Sequence, residues 1–216
     1  MNKFSGRSFK DFAQYPIFPW IISDYNCTYK ELKSQTEKNE TDGFRDLLLN
    51  SGILSEKKAN YAKEQFVQTS NIAEGERLIY GGEPHHLKFG MSTRLFSLSF
   101  LIRMQPFTDN FIKINKNLDN PDRIFYSVAD QWSSLQSDPQ NNNELTPEFF
   151  FFPEIFRNHN LANLGKSRSN VPVNEVTLPK WAANEHDFIR VHREMLESKH
   201  VATHIRAWLD MLFGTR

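Results

Sequence analysis

Thr146-Pro147-Glu148-Phe149-Phe150-Phe151-Phe152-Pro153 sets two prolines around four consecutive phenylalanines. Proline fixes its own φ, lacks an N–H and biases the residue before it towards extended backbone. Neither a long helix nor a central strand can run through such a stretch. A single helical turn starting at Pro147 fits it, and so does an extended run. Four rings are too much apolar surface to leave in water together, so at least some of them belong to a core. A docking surface is the other use for such a run, because interfaces favour large aromatics.

Upstream of this run, Asn120 suits an N-cap, Pro121 the first helical position and Asp122 the first turn. Ile124, Phe125, Val128, Ala129, Trp132 and Leu135 then follow at helical spacing, up to Pro139. Before that, Leu95 to Ile102 is apolar nearly all round and reads as a buried helix closed by Pro106. Residues 68–84 read as a loop punctuated by glycines, and residues 55–67 as a helix whose apolar face carries Leu54, Tyr61 and Phe66. The polar stretch 28–42 reads as a surface loop. Pro16 and Pro19, set among Tyr15, Phe18 and Trp20, predict a buried extended segment that needs side chains or water to satisfy its backbone. Downstream, residues 166–180 read as loop. Asn184 then caps one long helix, bent at most, whose stripe is Phe188, Val191, Met195, Ala202, Ile205, Leu209 and Leu212, with Ser198 in the gap.

Composition narrows the function classes. Lysine plus arginine and aspartate plus glutamate each total 26. That balance argues against non-specific nucleic-acid binding and gives no global pull towards an anionic membrane. Nineteen phenylalanines and four tryptophans, in a chain only 39% hydrophobic, predict a core of few, large side chains. The single cysteine, Cys27, excludes an internal disulfide and a cysteine-based zinc site, and fits a reducing cytoplasm. No apolar run is long enough to span a bilayer.

Chemistry-bearing patterns are sparse. Phosphate loops, dinucleotide fingerprints and nucleophile elbows are all missing from the sequence. His200 and His204 stand four apart, with His192 eight residues earlier, which suggests a metal-dependent hydrolase if the three imidazoles converge. Position 201 is valine, where a zinc-protease helix carries its glutamate, and histidines on a solvated helix face account for the pattern more simply. Glu83, His85 and His86 form a second cluster, better explained as a packed loop. Arg157, Lys166, Arg168 and Lys180 could meet phosphate, but scattered solubilising charge explains them better.

Several of the odd segments together resemble the BEACH family. Gly6-Arg7-Ser8-Phe9 with Asp11, Gln14-Tyr15-Pro16, Phe18-Pro19-Trp20 and Asp24-Tyr25 resemble its opening signature. Phe44-Arg45-Asp46-Leu47, Arg103-Met104-Gln105-Pro106-Phe107-Thr108 and Asp122-Arg123-Ile124-Phe125 follow in order. Pro147-Glu148-Phe149-Phe150, Pro153-Glu154, Trp181-Ala182, Phe188-Ile189-Arg190 and His192-Arg193-Glu194 continue the match to Gly214. Two departures stand out. Phe89-Gly90-Met91-Ser92 replaces a family run containing histidine, and Asn115-Lys116-Asn117 replaces a Gly-Gly pair.

The resemblance implies a fold that is mainly α with irregular extended core segments, in a single domain spanning residues 1–216. It implies a domain shortened at both ends, without the family's preceding pleckstrin-like domain and C-terminal helices, and hence exposed apolar surface near Phe213. It implies a non-enzymatic scaffold or adaptor in vesicle and lysosomal membrane trafficking and autophagy, with no cofactor. Such a protein would be cytoplasmic, peripheral on endolysosomal or vesicle membranes, with a pleckstrin-like domain as a protein partner. A remnant without independent function is the alternative. The polar matches Arg7, Asp11, Asp24, Arg103, Asp122, Arg123, Glu148, Glu154, Arg190 and Glu194 are expected to pair inside the aromatic core.

Overall fold

The computed structural model describes residues 15–38, 42–80, 82–87, 94–116, 118, 124–166, 170 and 172–213. The proline-bracketed run resolves into two 3-10 turns. Pro147–Phe150 and Pro153–Phe156 each carry proline at the start, where a missing N–H costs nothing. Phe149 and Phe150 are fully buried, while Phe151 and Phe152 are about half exposed. The run is therefore core and surface in equal parts.

Around these turns stand the α-helices α1 (Tyr29–Lys38), α2 (Glu56–Ser70), α3 (Arg77–Tyr80), α4 (Arg94–Phe100), α5 (Phe107–Asn115), α6 (Val128–Ser137), α7 (Glu185–Leu196) and α8 (Lys199–Phe213). α7 packs on both 3-10 turns, α4 on α5, and α2 on α6. The main core joins Trp20, Tyr25, Trp132, Phe149, Phe156, Trp181, Phe188 and Trp208. A smaller one holds Leu98, Ile102, Phe111, Ile124 and Leu164. No helix among the described residues is long and apolar enough to cross a membrane.

The extended segments pair through isolated bridges instead of sheets. Phe18 exchanges backbone bonds with Leu145 at 2.8 and 2.9 Å. Ser23 N donates to Gly43 O and Arg45 N to Ile21 O around the Ile22–Phe44 bridge. Thr177 bridges Ser127, with Thr177 N donating to Tyr126 O and Val128 N to Thr177 O. Pro16 and Pro19 cannot extend a ladder, so each buried stretch meets its backbone needs one partner at a time.

Five sequence expectations need correction, the first being the loop over residues 68–84, because α2 runs to Ser70 and α3 lies within that stretch. Residues 28–42 are not all loop. Thr28 and Glu31 form a capping box, with Thr28 N donating to Glu31 Oε2 at 2.6 Å and Glu31 N to Thr28 Oγ1 at 3.4 Å, and α1 follows with Leu32 buried. α6 begins at Val128, not Pro121. Ser127 Oγ accepts from Asp130 N, while Ile124 and Phe125 are buried in non-helical chain. α2 turns Lys58, Ala62 and Thr69 inward and leaves Phe66 exposed, stacked on His86. The expected long C-terminal helix is two helices. Ser198 Oγ accepts from Val201 N and starts α8 afresh, which shifts its buried stripe to Val201, Trp208 and Leu212. Ala202 is exposed. Among the described side chains of α8, Leu209 is the large apolar one left in solvent.

Pro106, joined to Gln105 by a cis peptide, separates α4 from α5. The sequence reading has no counterpart to α5, whose Phe111 is buried and whose end is the left-handed Lys116.

Candidate functional site

The three histidines of the candidate metal site go to different places. His192 lies on the core face of α7 with no exposed surface. Its ring stacks on Phe150 at 4.5 Å and sits near Phe188 and Tyr25. Nε2 is 2.8 Å from the Tyr25 hydroxyl and Nδ1 is 3.2 Å from Phe149 O, so both ring nitrogens have partners inside the fold. His200 and His204 lie on α8, beyond the break at Ser198. The His200 ring stacks against His204 and Phe44. Among the described residues no three metal-ligating side chains come together, so the convergence the hydrolase reading needs is contradicted. His85 and His86 are also packed, His85 against Glu83 O and Thr69, His86 on Phe66.

Burial pulls the His192 pKa down to about 3. The unfolded chain takes up this proton near pH 6.5, whereas the folded chain does not until about pH 3. The contribution is full above pH 6.5 and lost as pH falls, by about 1.4 kcal/mol per unit, or roughly 2 kcal/mol at pH 5. Denaturant titrations at pH 7 and pH 5 should show this loss, and His192→Phe should reduce it. Equal pH slopes in the two proteins would remove His192 as its source.

The ten expected polar-core residues divide. Arg7, Asp11, Asp122 and Arg123 lie outside the described residues. Arg103 is fully buried, with Nε donating to Asn174 O at 2.7 Å and both terminal nitrogens without a partner among the described residues. Glu148 is half-buried, with Oε1 accepting from the Tyr15 hydroxyl at 2.6 Å. Asp24 closes a local turn by accepting from Asn26 N. Glu154, Arg190 and Glu194 are corrections, because all three lie on the surface. Arg190 bridges Asp187 at 2.6 Å and Glu194 at 2.8 Å along α7. Helical spacing of three and four residues serves such exposed pairs, so these charges need no core.

The polar centre of the fold is one the sequence reading missed. Arg45 meets Glu144 through two bonds of 2.8 and 2.9 Å, and both side chains are almost wholly buried, at 2% and 0% exposure. Glu144 Oε2 also accepts from Trp20 N, and Trp20 Nε1 donates to Asn143 O. Lys58 is buried beside them. Its ammonium donates to Leu135 O, Asp138 O and Asn141 O, closing the C-terminal end of α6. Burial lowers its pKa to about 8, against the pull of Asp138 and Glu144. In sequence only Arg45 carried a signal, through its place in a family-like motif. Lys58 looks like an ordinary helix-surface lysine, and Glu144 like part of a polar loop.

Comparison with known proteins places this architecture. The Beige/BEACH domain family profile matches residues 1–216. The chain is 35% identical over 215 residues to a putative neurobeachin homolog of Caenorhabditis elegans, a match covering 99% of this chain and 8% of that protein. It is 35% identical over 217 residues to Beige protein homolog 1 of Saccharomyces cerevisiae, covering 99% of this chain and 10% of that protein. The chain thus spans about a tenth or less of the length of these relatives. With a profile match from end to end and two such relatives aligned over nearly all its length, the chain belongs to the BEACH domain family.

Proposed function

We propose that this chain is a non-enzymatic docking module of a cytoplasmic protein in vesicle and lysosomal membrane trafficking, including autophagy, and that it acts as a scaffold or adaptor. The protein would sit peripherally on endolysosomal or vesicle membranes, and a pleckstrin-like domain of the same protein is the partner expected to pack against it. One observation carries this reading. Of the buried ionisable side chains, Arg45, Lys58, Glu144 and His192 are bonded to groups inside the fold and Arg103 through Nε alone, whereas Leu78, Phe151 and Leu161 stand exposed. Side chains so placed serve assembly better than chemistry.

Two measurements test it, the first on this chain by itself and the second on the whole protein. A pleckstrin-like domain supplied at 100 times its dissociation constant should add about 2.7 kcal/mol of stability, seen as a raised Tm. An unmoved Tm rejects that partner. In cells, Leu78→Asp with Phe151→Asp should impair cargo sorting without lowering Tm, and His204→Ala should leave sorting intact. Sorting lost in His204→Ala, with Tm and partner retention unchanged, would point to chemistry and overturn the adaptor reading.

A further inference from the structure

Leucine and isoleucine stand next to one another at several places along the chain, and the fold hides nearly all of these pairs. Ile21-Ile22 and Leu101-Ile102 are buried, and Leu47, beside Leu48, is 2% exposed. Leu78-Ile79 is the exception, with the two side chains 76% and 69% exposed. Of these adjacent pairs it is also the one with a carboxylate four residues ahead, in Glu74-Gly75-Glu76-Arg77-Leu78-Ile79. Single exposed leucines are ordinary, whereas two in succession on a surface mark a place of contact.

The backbone under this pair is built to open. α3 is a single turn, and one turn of helix has no stability of its own. It packs on the 3-10 turn just before it, Glu74–Glu76, and none of residues 73–79 is buried. What holds it is local. Gly82 N donates to Arg77 O at 2.6 Å, Glu76 N to Ala73 O at 2.9 Å and Arg77 Nε to Ile72 O at 3.4 Å. The Arg77–Glu83 pair, at 3.3 Å, is solvent-exposed and adds little. Unwinding α3 therefore leaves the core untouched, as local opening at a protein surface does.

Charge and spacing say what would fit. Arg77 is engaged by Glu83, so Glu74 and Glu76 stand as exposed negative charge ahead of the pair. An anionic bilayer would repel them, whereas a basic protein surface would attract them. In extended chain successive side chains point to opposite sides. Glu74, Glu76 and Leu78 then share one side, and Ile79 takes the other. At about 3.3 Å per residue, Glu74 sits roughly 13 Å from Leu78. A matching groove needs an apolar pocket on each side of the peptide and a basic patch upstream of one of them.

We infer that residues 74–79, opened into extended chain, are a docking signal for a sorting adaptor of a vesicle coat. Leu78 and Ile79 fill two neighbouring apolar pockets, and Glu74 and Glu76 meet the basic patch on their rim. The inference rests on the trafficking-adaptor reading and gives it a site and a partner chemistry.

The test immobilises the whole protein and adds purified heterotetrameric adaptor cores of clathrin coats, one from the plasma membrane and one from endosomes. At least one core should bind saturably and weaken as salt rises. Leu78→Ser with Ile79→Ser, and separately Glu74→Gln with Glu76→Gln, should each weaken it by about tenfold or more with Tm unchanged. Leu48→Ser, at an exposed leucine elsewhere, should leave binding as it was. The Gln variant decides the matter if the Ser variant lowers Tm. No binding of either core, unchanged affinity in the Gln variant, an equal loss in Leu48→Ser, or a preference for phosphatidylserine vesicles overturns the inference. If neither core binds while Leu78→Asp with Phe151→Asp still impairs sorting, this docking signal falls and the adaptor reading stands.

Discussion

Replacing Glu144 by alanine is expected to destabilise the fold by about 3–5 kcal/mol, because it leaves the Arg45 guanidinium buried without its counter-charge. Two hydrogen bonds of 2.8 and 2.9 Å disappear, and Trp20 N loses its acceptor. A natural domain is stable by only about 5–15 kcal/mol, so this one change removes a large fraction of the total. Denaturant midpoints at pH 7 would measure it. The companion double variant, Arg45→Met with Glu144→Leu, should recover most of the loss, since apolar replacement of a buried pair is often neutral. A residue of about 1–3 kcal/mol should remain from the orphaned Trp20 N–H. If Glu144→Ala cost less than about 1 kcal/mol, the pair would not be the polar centre described above.

Trp20→Ala should cost about 3–5 kcal/mol by a different route. Trp20 is wholly buried, in ring contact with Tyr25 at 5.0 Å, Trp132 at 5.5 Å and Phe149 at 6.3 Å. Its removal opens a cavity that three large, stiff rings cannot collapse into, and Asn143 O loses the indole donor. Trp20→Phe should cost less, because most of the volume is kept. A loss for Trp20→Phe equal to that for Trp20→Ala would show that the indole hydrogen bond dominates over packing. Trp20 and Glu144 are in contact through the Trp20 main-chain N–H, so the two alanine changes should couple even though that donor survives in Trp20→Ala.

Local chemistry was legible in the sequence wherever it acts over a few residues. The proline-bracketed phenylalanines implied broken backbone and a core, and both 3-10 turns start at those prolines. Asn184 was readable as the cap of α7 and is one. The capping box of Thr28 and Glu31 is equally local, but the polar composition of residues 28–42 disguises it as loop. Ser198 shows the opposite hazard. Its spacing fits a gap in a continuous stripe, but a serine offers the backbone a fresh start, and the helix phase resets there.

The sequence by itself determined the family, the aromatic core and the extended, proline-interrupted segments, because identity of side chain and order along the chain suffice for these. Only the tertiary structure decided which charges are buried. Arg45 and Glu144 are 99 residues apart, and Tyr25 and His192 are 167 apart. Arg190 and Glu194 matched a motif as well as Arg45 did, yet they lie in solvent. A charged side chain has the same local signature in water and in a core. What separates the two is whether the chain returns, far along its length, with a partner strong enough to offset desolvation.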